Sequence, residues 1–326
     1  RMFITGGVGA IHEDEKFGPD YFLPTDAYLE TCAAVGAGFF SQRMNQLTCN
    51  ARYMDEVERV LYNNVLTGVS LSGDKYTYQN PLNTDKPDRW EWHVCPCCPP
   101  MFLKIMAAMP SYIYAYQGDN VYVNLFIGSE VRVPVGKSNS VRLKQLTSYP
   151  WHGALSIQVN PDKASTFSMK VRIPGWAQGT ENPYDLYQSN LKAPVKLKVN
   201  QEDVLLRIVD GYAEINREWK KGDHIELELP MQPRLITANK AVENLRGQVA
   251  LASGPIIYCF EDADNPELQT FKLQAQTPLE LSHDSNLLNG VNIIKCQGDI
   301  PAKAIPYYAV ANREESHSYK VWIPQK

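Results

Sequence analysis

At about residue 117 the hydrophobic pattern of this chain changes period, and that change limits what the chain can fold into. Residues 26 to about 116 read as helical. Asp26 is placed to cap a helix carrying Ala27, Ala33, Ala34, Val35, Phe39 and Phe40. Tyr53 to Val69 sets Val57, Val60, Leu61, Val65 and Leu66 near helical spacing. Pro99 and Pro100 suit the first turn of a third helix, which continues through Met101, Leu103, Ile105 and Met106 until Pro110. From there on, short runs alternate in the manner of strands. They include 120–127, 141–146, 155–159, 167–173, 195–199, 213–215, 224–229, 256–260 and 319–323. Turn signals such as Gln117-Gly118-Asp119-Asn120 and Lys221-Gly222-Asp223 separate them. Residues 261–290 read as a polar loop. Strands of this length and spacing predict one or two antiparallel sandwiches.

The expected class is therefore α+β, with several domains. A length of 326 residues suits two or three of them. The boundaries expected are 1–116 for the helical part, 117–235 for a β-sandwich, and 236–326 for a second sandwich or β-rich extension. A net charge of −4 gives no electrostatic footprint for nucleic acid. No apolar run approaches the roughly 20 residues of a membrane helix. The chain starts at Arg1 and enters Met2-Phe3-Ile4-Thr5-Gly6-Gly7 directly, so it is expected to be an internal piece of a longer polypeptide.

Seven cysteines are present, and Cys95, Cys97 and Cys98 fall within four residues. An odd, clustered set argues against a disulfide framework and for metal binding or catalysis. Glu30 and Cys32 join Cys97 and Cys98 as a donor set able to make a tetrahedral zinc site. Positions i and i+2 of a helix point about 200° apart, so Glu30 and Cys32 can share a metal only from a turn or a frayed helix start. Adjacent Cys97 and Cys98 are likewise expected to need irregular backbone. They precede a helix, whose N-terminus favours a thiolate. A metal-held thiolate can act as a nucleophile. A closed structural zinc site and inert buried thiols are the other readings of the same residues. Cys49, Cys259 and Cys296 read as structural, and Cys95 is one thiol beyond four ligands.

His12-Glu13-Asp14-Glu15 supplies candidate acids, or simply a solvated acidic loop. Gly6-Gly7-Val8-Gly9 lacks the ending of a phosphate loop and the spacing of a dinucleotide fingerprint. The six histidines are scattered, and no Ser-His-Asp arrangement is recognisable.

Together these stretches resemble glycoside hydrolase family 127, the β-L-arabinofuranosidase family. The resemblance rests on Thr5–Gly9, Glu15-Lys16-Phe17, Tyr21–Pro24, Ala27–Ala33, Glu58–Asn63, Tyr76–Leu82 and Cys95–Pro100. In the β region it rests on Tyr149-Pro150-Trp151, Arg172–Ala177, Gly254–Tyr258 and Ile305–Tyr308. It covers essentially the whole chain. It implies the end of an (α/α)6 toroid followed by antiparallel β-sandwich domains. It also implies a retaining hydrolase of β-L-arabinofuranosidic linkages in plant-type glycans. Glu30, Cys32, Cys97 and Cys98 then correspond to zinc ligands, Cys97 to the nucleophile, Glu15 to the general acid/base, and Tyr78 to a residue near the substrate. The stretch before the Glu-x-Cys motif is one residue shorter than the family spacing, so Glu13 is the alternative acid.

The partners implied are an oligosaccharide or glycan, a homodimer mate, and the N-terminal half of the catalytic domain. The compartment implied is the periplasm or the cytoplasm of a glycan-degrading bacterium. The alternatives are a hydrolase for another pectic sugar, a carbohydrate-binding protein with a structural zinc, and a thiol redox protein.

Overall fold

The computed structural model describes residues 1–182, 185–191, 193–298 and 300–326. Four helices follow an irregular N-terminal segment: α1 (Thr31–Thr48), α2 (Arg52–Val60), α3 (Cys98–Ala108) and α4 (Pro110–Ile113). The small residues Ala34 and Gly38 let α1 approach its neighbours closely. A Cβ on Gly38 would stand 3.2 Å from Ile105 of α3. Ala34, Val35, Val57, Val60 and Ile105 form the shared core. Helix α2 runs on into one π-helical turn, Leu61–Val65. Such a turn carries an extra residue and swings the side chains that follow.

Three sequence expectations are corrected here. No helix starts at Asp26, because Leu29 takes a positive φ of 46° and its N–H bonds to Gly9. Helix α1 starts instead at Thr31, behind Glu30. Residues 68–97 are turns, bridges and one two-residue strand rather than helix. The loop expected at 261–290 contains the strand Leu279–Asp284, which pairs with Val291–Cys296. Its alternation is masked by the polar residues Glu280, Ser282 and His283 on one edge strand.

The β region opens with a hairpin. Strands Tyr114–Gln117 and Asn120–Val123 are joined by Gly118-Asp119, where Gly118 supplies a φ of 59°. A six-stranded and a five-stranded sheet then pack face to face, with Val141, Leu143, Ile157, Val171, Ala213 and Ile225 in the core between them. One pair, Asn120–Val123 with Ser165–Arg172, is parallel, and every other pair in these two sheets is antiparallel.

The C-terminal region builds a curled ten-stranded sheet. Its strand Ile256–Glu261 is buried along its full length, because both faces are covered. One face meets Phe3, Ile4, Leu23 and Leu29 of the N-terminal segment, and the other meets Leu268, Phe271 and Leu273. The sheet also recruits distant strands. Asn83–Thr84 pairs with Tyr319–Lys320, and Tyr187–Ser189 pairs with Arg234–Ala238. No helix among the described residues is long and apolar enough to cross a membrane.

Candidate metal centre and active site

Two helix starts converge on one point. Glu30 is the N-cap of α1, with an extended ψ of 138°, and Cys32 follows inside the first turn. That break in the backbone lets both side chains turn to one side, as the spacing required. Cys97 is the N-cap of α3 and Cys98 its first residue, with Pro99 and Pro100 completing the turn. The irregular backbone expected at this pair is absent, since Cys97 has ordinary helical angles of −72° and −33°. Two successive side chains at a helix mouth diverge by about 100°, and a ligand sphere can sit between them.

The four donor atoms all lie within 4.8 Å of one another. Cys32 Sγ is 3.5 Å from Cys98 Sγ, Cys97 Sγ is 3.8 Å from Cys98 Sγ, and Cys97 Sγ is 3.4 Å from Glu30 Oε1. A tetrahedron with Zn–S bonds of about 2.3 Å has S···S edges of about 3.8 Å, so the quartet has the size of a metal site. Its residues can hold a metal ion. Three thiols and a carboxylate also repel one another as anions. Hydrogen bonding to Cys98 and burial push the Cys32 thiol well above its ordinary range. Burial, then the hydrogen bond to Cys32, push Cys97 up to about 12. A cation reverses that balance, and the positive ends of two helices favour the anionic ligands.

The loop carrying Tyr78 is clamped over the cluster. Thr31 N–H donates to Tyr78 O at 3.0 Å, and Thr31 Oγ1 donates to Thr77 O at 3.0 Å. Asn80 Nδ2 donates to Leu29 O and Thr31 Oγ1, each at 2.9 Å. From the C-terminal sheet, the Tyr307 hydroxyl donates to Asn80 O at 2.7 Å, and Tyr319 donates to Pro81 O at 2.8 Å. The Tyr76–Leu82 and Ile305–Tyr308 motifs are thus two sides of one clamp.

Glu15 lies on an exposed turn at a positive φ of 53°. Its Oε1 accepts from Tyr28 at 2.7 Å and from Tyr78 at 3.4 Å. The Tyr78 side chain also packs in one cluster with Cys97 and Cys98, so this tyrosine stands between Glu15 and the thiols. Burial above all raises the Tyr78 phenol far above its ordinary value. Glu13 is exposed and does not receive the Tyr28 hydrogen bond.

Sequence reasoning missed Tyr28, Trp90 and His93. The Trp90 and His93 rings stack at 4.5 Å, and His93 lies 5.0 Å from the Tyr78 ring. Their signal was the run Trp90-Glu91-Trp92-His93 just ahead of the cysteines. A cavity of about 450 Å³ opens beside them, with His12, Asp26, Tyr78, Asn80 and Trp90 in its wall. That is within the usual range of small-ligand sites. Cys95 is exposed, 4.0 Å from the Tyr78 hydroxyl and outside the quartet. Cys259 and Cys296 are buried, and Cys49 is half-buried. All three lie away from the cluster, as expected of structural thiols.

Three family models cover the chain: the β-L-arabinofuranosidase GH127 catalytic domain over residues 1–111, the GH127 middle domain over 120–231, and the family 127 C-terminal domain over 233–324. The chain belongs to glycoside hydrolase family 127. It is 31% identical, over 365 aligned positions, to a non-reducing end β-L-arabinofuranosidase of Bifidobacterium longum subsp. longum; the match covers 96% of this chain and 52% of that protein. Among solved structures it is similar to a GH127 β-arabinofuranosidase, with a TM-score of 0.94 and 36% identity over 100% of this chain and 54% of the other. It is similar also to a GH127 β-L-arabinofuranosidase from Geobacillus stearothermophilus T6, with a TM-score of 0.92 and 35% identity over 100% and 55% of the two chains. The chain therefore spans about half the length of these relatives.

Proposed function

We propose that this chain carries the zinc-thiolate half of a retaining glycosidase acting on β-L-arabinofuranosides of plant-type glycans. The observation that carries the reading is the Glu30, Cys32, Cys97 and Cys98 quartet, with Glu15 hydrogen-bonded to Tyr78, which packs against it. The four residues would hold zinc, which when bound keeps thiols deprotonated at neutral pH. Cys97 Sγ attacks the anomeric carbon while Glu15 passes its proton to the departing glycosidic oxygen. The C–O bond breaks and a thioglycosyl bond to Cys97 forms. Glu15, now ionised, takes a proton from water, whose oxygen displaces Cys97 and releases the sugar. Tyr78 hydrogen-bonds Glu15, packs with Cys97 and lines the cavity, where the substrate would pass.

Residues 1–116 are taken as the closing part of an (α/α)6 toroid, 117–235 as a sandwich, and 236–326 as the β-rich extension. A toroid needs more helices than α1–α4, and the relatives are about twice as long. On this reading residues 1–326 alone turn over poorly, and the rest of the toroid completes the sugar pocket.

The test is hydrolysis of a synthetic aryl β-L-arabinofuranoside, compared with α-L and pyranoside isomers. The unmodified protein, supplied with the remaining toroid segment where needed, is expected to prefer the β-L-furanoside, with Cys97→Ala inactive. Full turnover by Cys97→Ala would defeat the mechanism. Preference for another sugar would move the reading to a different pectic substrate.

A further inference from the structure

We infer that Tyr28 is the positioning residue for the acid/base Glu15, tying its carboxylate to the loop that carries the first metal ligand. The inference rests on the reading of Glu15 given above. Glu15 has little else to hold it. Its backbone occupies a left-handed turn flanked by Asp14, also at a positive φ, and its side chain is exposed. An acid used in both halves of a reaction must keep one oxygen in place while a proton comes and goes at the other.

Tyr28 supplies that fixed point. Its side chain is buried, and its hydroxyl donates to Glu15 Oε1 at 2.7 Å, the shortest contact either residue makes within the site. The ring is held edge-on by His12 at 5.4 Å and by Tyr78 at 6.1 Å. Its backbone is fixed as well. Asn80 N–H donates to Tyr28 O at 3.2 Å, and Leu29 N–H bonds to Gly9 O at 3.0 Å. Two residues further on stands Glu30. The carboxylate of Glu15 is therefore indexed to the metal quartet through Tyr28 rather than through its own flexible turn. Oε2 is left for the proton.

The charged and titratable groups around Glu15 are Tyr28 and Tyr78 in contact, His12, Glu13, Asp14 and Lys16 on its own turn, and Glu30 beyond Tyr28.

Tyr28→Phe keeps the ring and removes the hydroxyl. Two measurements are made on metal-loaded protein supplied with the remaining toroid segment. One is the position of the Glu15 carboxyl resonance by NMR with ¹³C-labelled glutamate carboxyls, assigned by its absence in Glu15→Gln. The other is turnover of arabinofuranosides with alkyl and nitrophenyl leaving groups. We expect unchanged metal content and a displaced Glu15 carboxyl resonance. Turnover of the alkyl glycoside should fall by about tenfold or more, while the nitrophenyl glycoside, which needs little acid help, loses far less.

An unmoved Glu15 resonance together with equal losses on both leaving groups would overturn the inference. If the Tyr28→Phe protein does not fold, the tyrosine ¹³Cζ resonance is followed in Glu15→Gln: a shift of the Tyr28 signal supports the contact, and none overturns it. A displaced Glu15 resonance in a protein that hydrolyses no glycoside even with the remaining toroid segment would leave Tyr28 holding Glu15 and remove the hydrolase reading instead.

Discussion

Arg172 lies wholly buried against Glu58, with its Nη1 2.7 Å from Asp55, so one guanidinium from the sandwich bridges two carboxylates of α2. Tyr149 and Trp176 complete the set by donating to Glu58 at 2.7 and 3.3 Å. Three of the sequence stretches that marked the family thus meet at one buried ion cluster. Truncating Arg172 leaves both acids uncompensated. Arg172→Met is expected to cost about 3–5 kcal/mol, read by urea unfolding. A loss within about 0.5 kcal/mol, the level of an ordinary surface change, would contradict this account of the junction.

The same cluster makes stability depend on pH. Burial pushes the Asp55 carboxyl from 3.8 up to about 6, against the opposing pull of Arg172. In that window the folded chain binds the proton more tightly than the unfolded chain. Stability from this residue is therefore present below 3.8 and lost as pH rises toward about 6. Asp55→Asn should flatten that fall when melting temperature is followed across the window. An unchanged slope would show that Asp55 does not titrate there.

These contacts also mark what was legible beforehand. The period change at residue 117 located the sheets, because core alternation such as Val141, Leu143 and Gln145 is a local signal. The four residues of the candidate metal site were legible because clustered thiols and a Glu-x-Cys pair carry chemistry in their type and order. Three things were not. The start of α1 depends on Leu29 being held at a positive φ by Gly9, a contact spanning twenty positions. The strand Leu279–Asp284 is too polar to stand out. The contact of Tyr28 with Glu15 joins residues thirteen positions apart through an irregular turn, which leaves no local signal.

Asn63 joins the helical region to the C-terminal sheet. Its Nδ2 donates to Pro255 O at 3.0 Å, and its Oδ1 accepts from Ile257 N–H at 2.8 Å. It is fully buried inside the π-helical turn. Asn63→Ala strands both backbone groups. The expected cost is about 1–3 kcal/mol, together with faster amide exchange at Ile257. Protection at Ile257 equal to wild type would count against the clamp.

Gly6 explains a motif that superficially suggests phosphate. It has a φ of 82°, and a Cβ there would stand 2.9 Å from the backbone N and Cα of Val60. Its role is close approach to α2. Gly6→Ala combines backbone strain with a clash that side-chain rotation cannot relieve, so a loss of about 2 kcal/mol or more is expected. A melting temperature unchanged by the substitution would remove this explanation.

The central claim is that Glu30, Cys32, Cys97 and Cys98 form one metal site. It is tested most directly by zinc per chain, measured by elemental analysis on metal-clean protein for wild type beside Cys98→Ala. The account predicts about one zinc per wild-type chain, the stoichiometry of a single tetrahedral site, and a large loss in the variant. A folded wild type without zinc, or a Cys98→Ala protein that keeps its full complement, would contradict it.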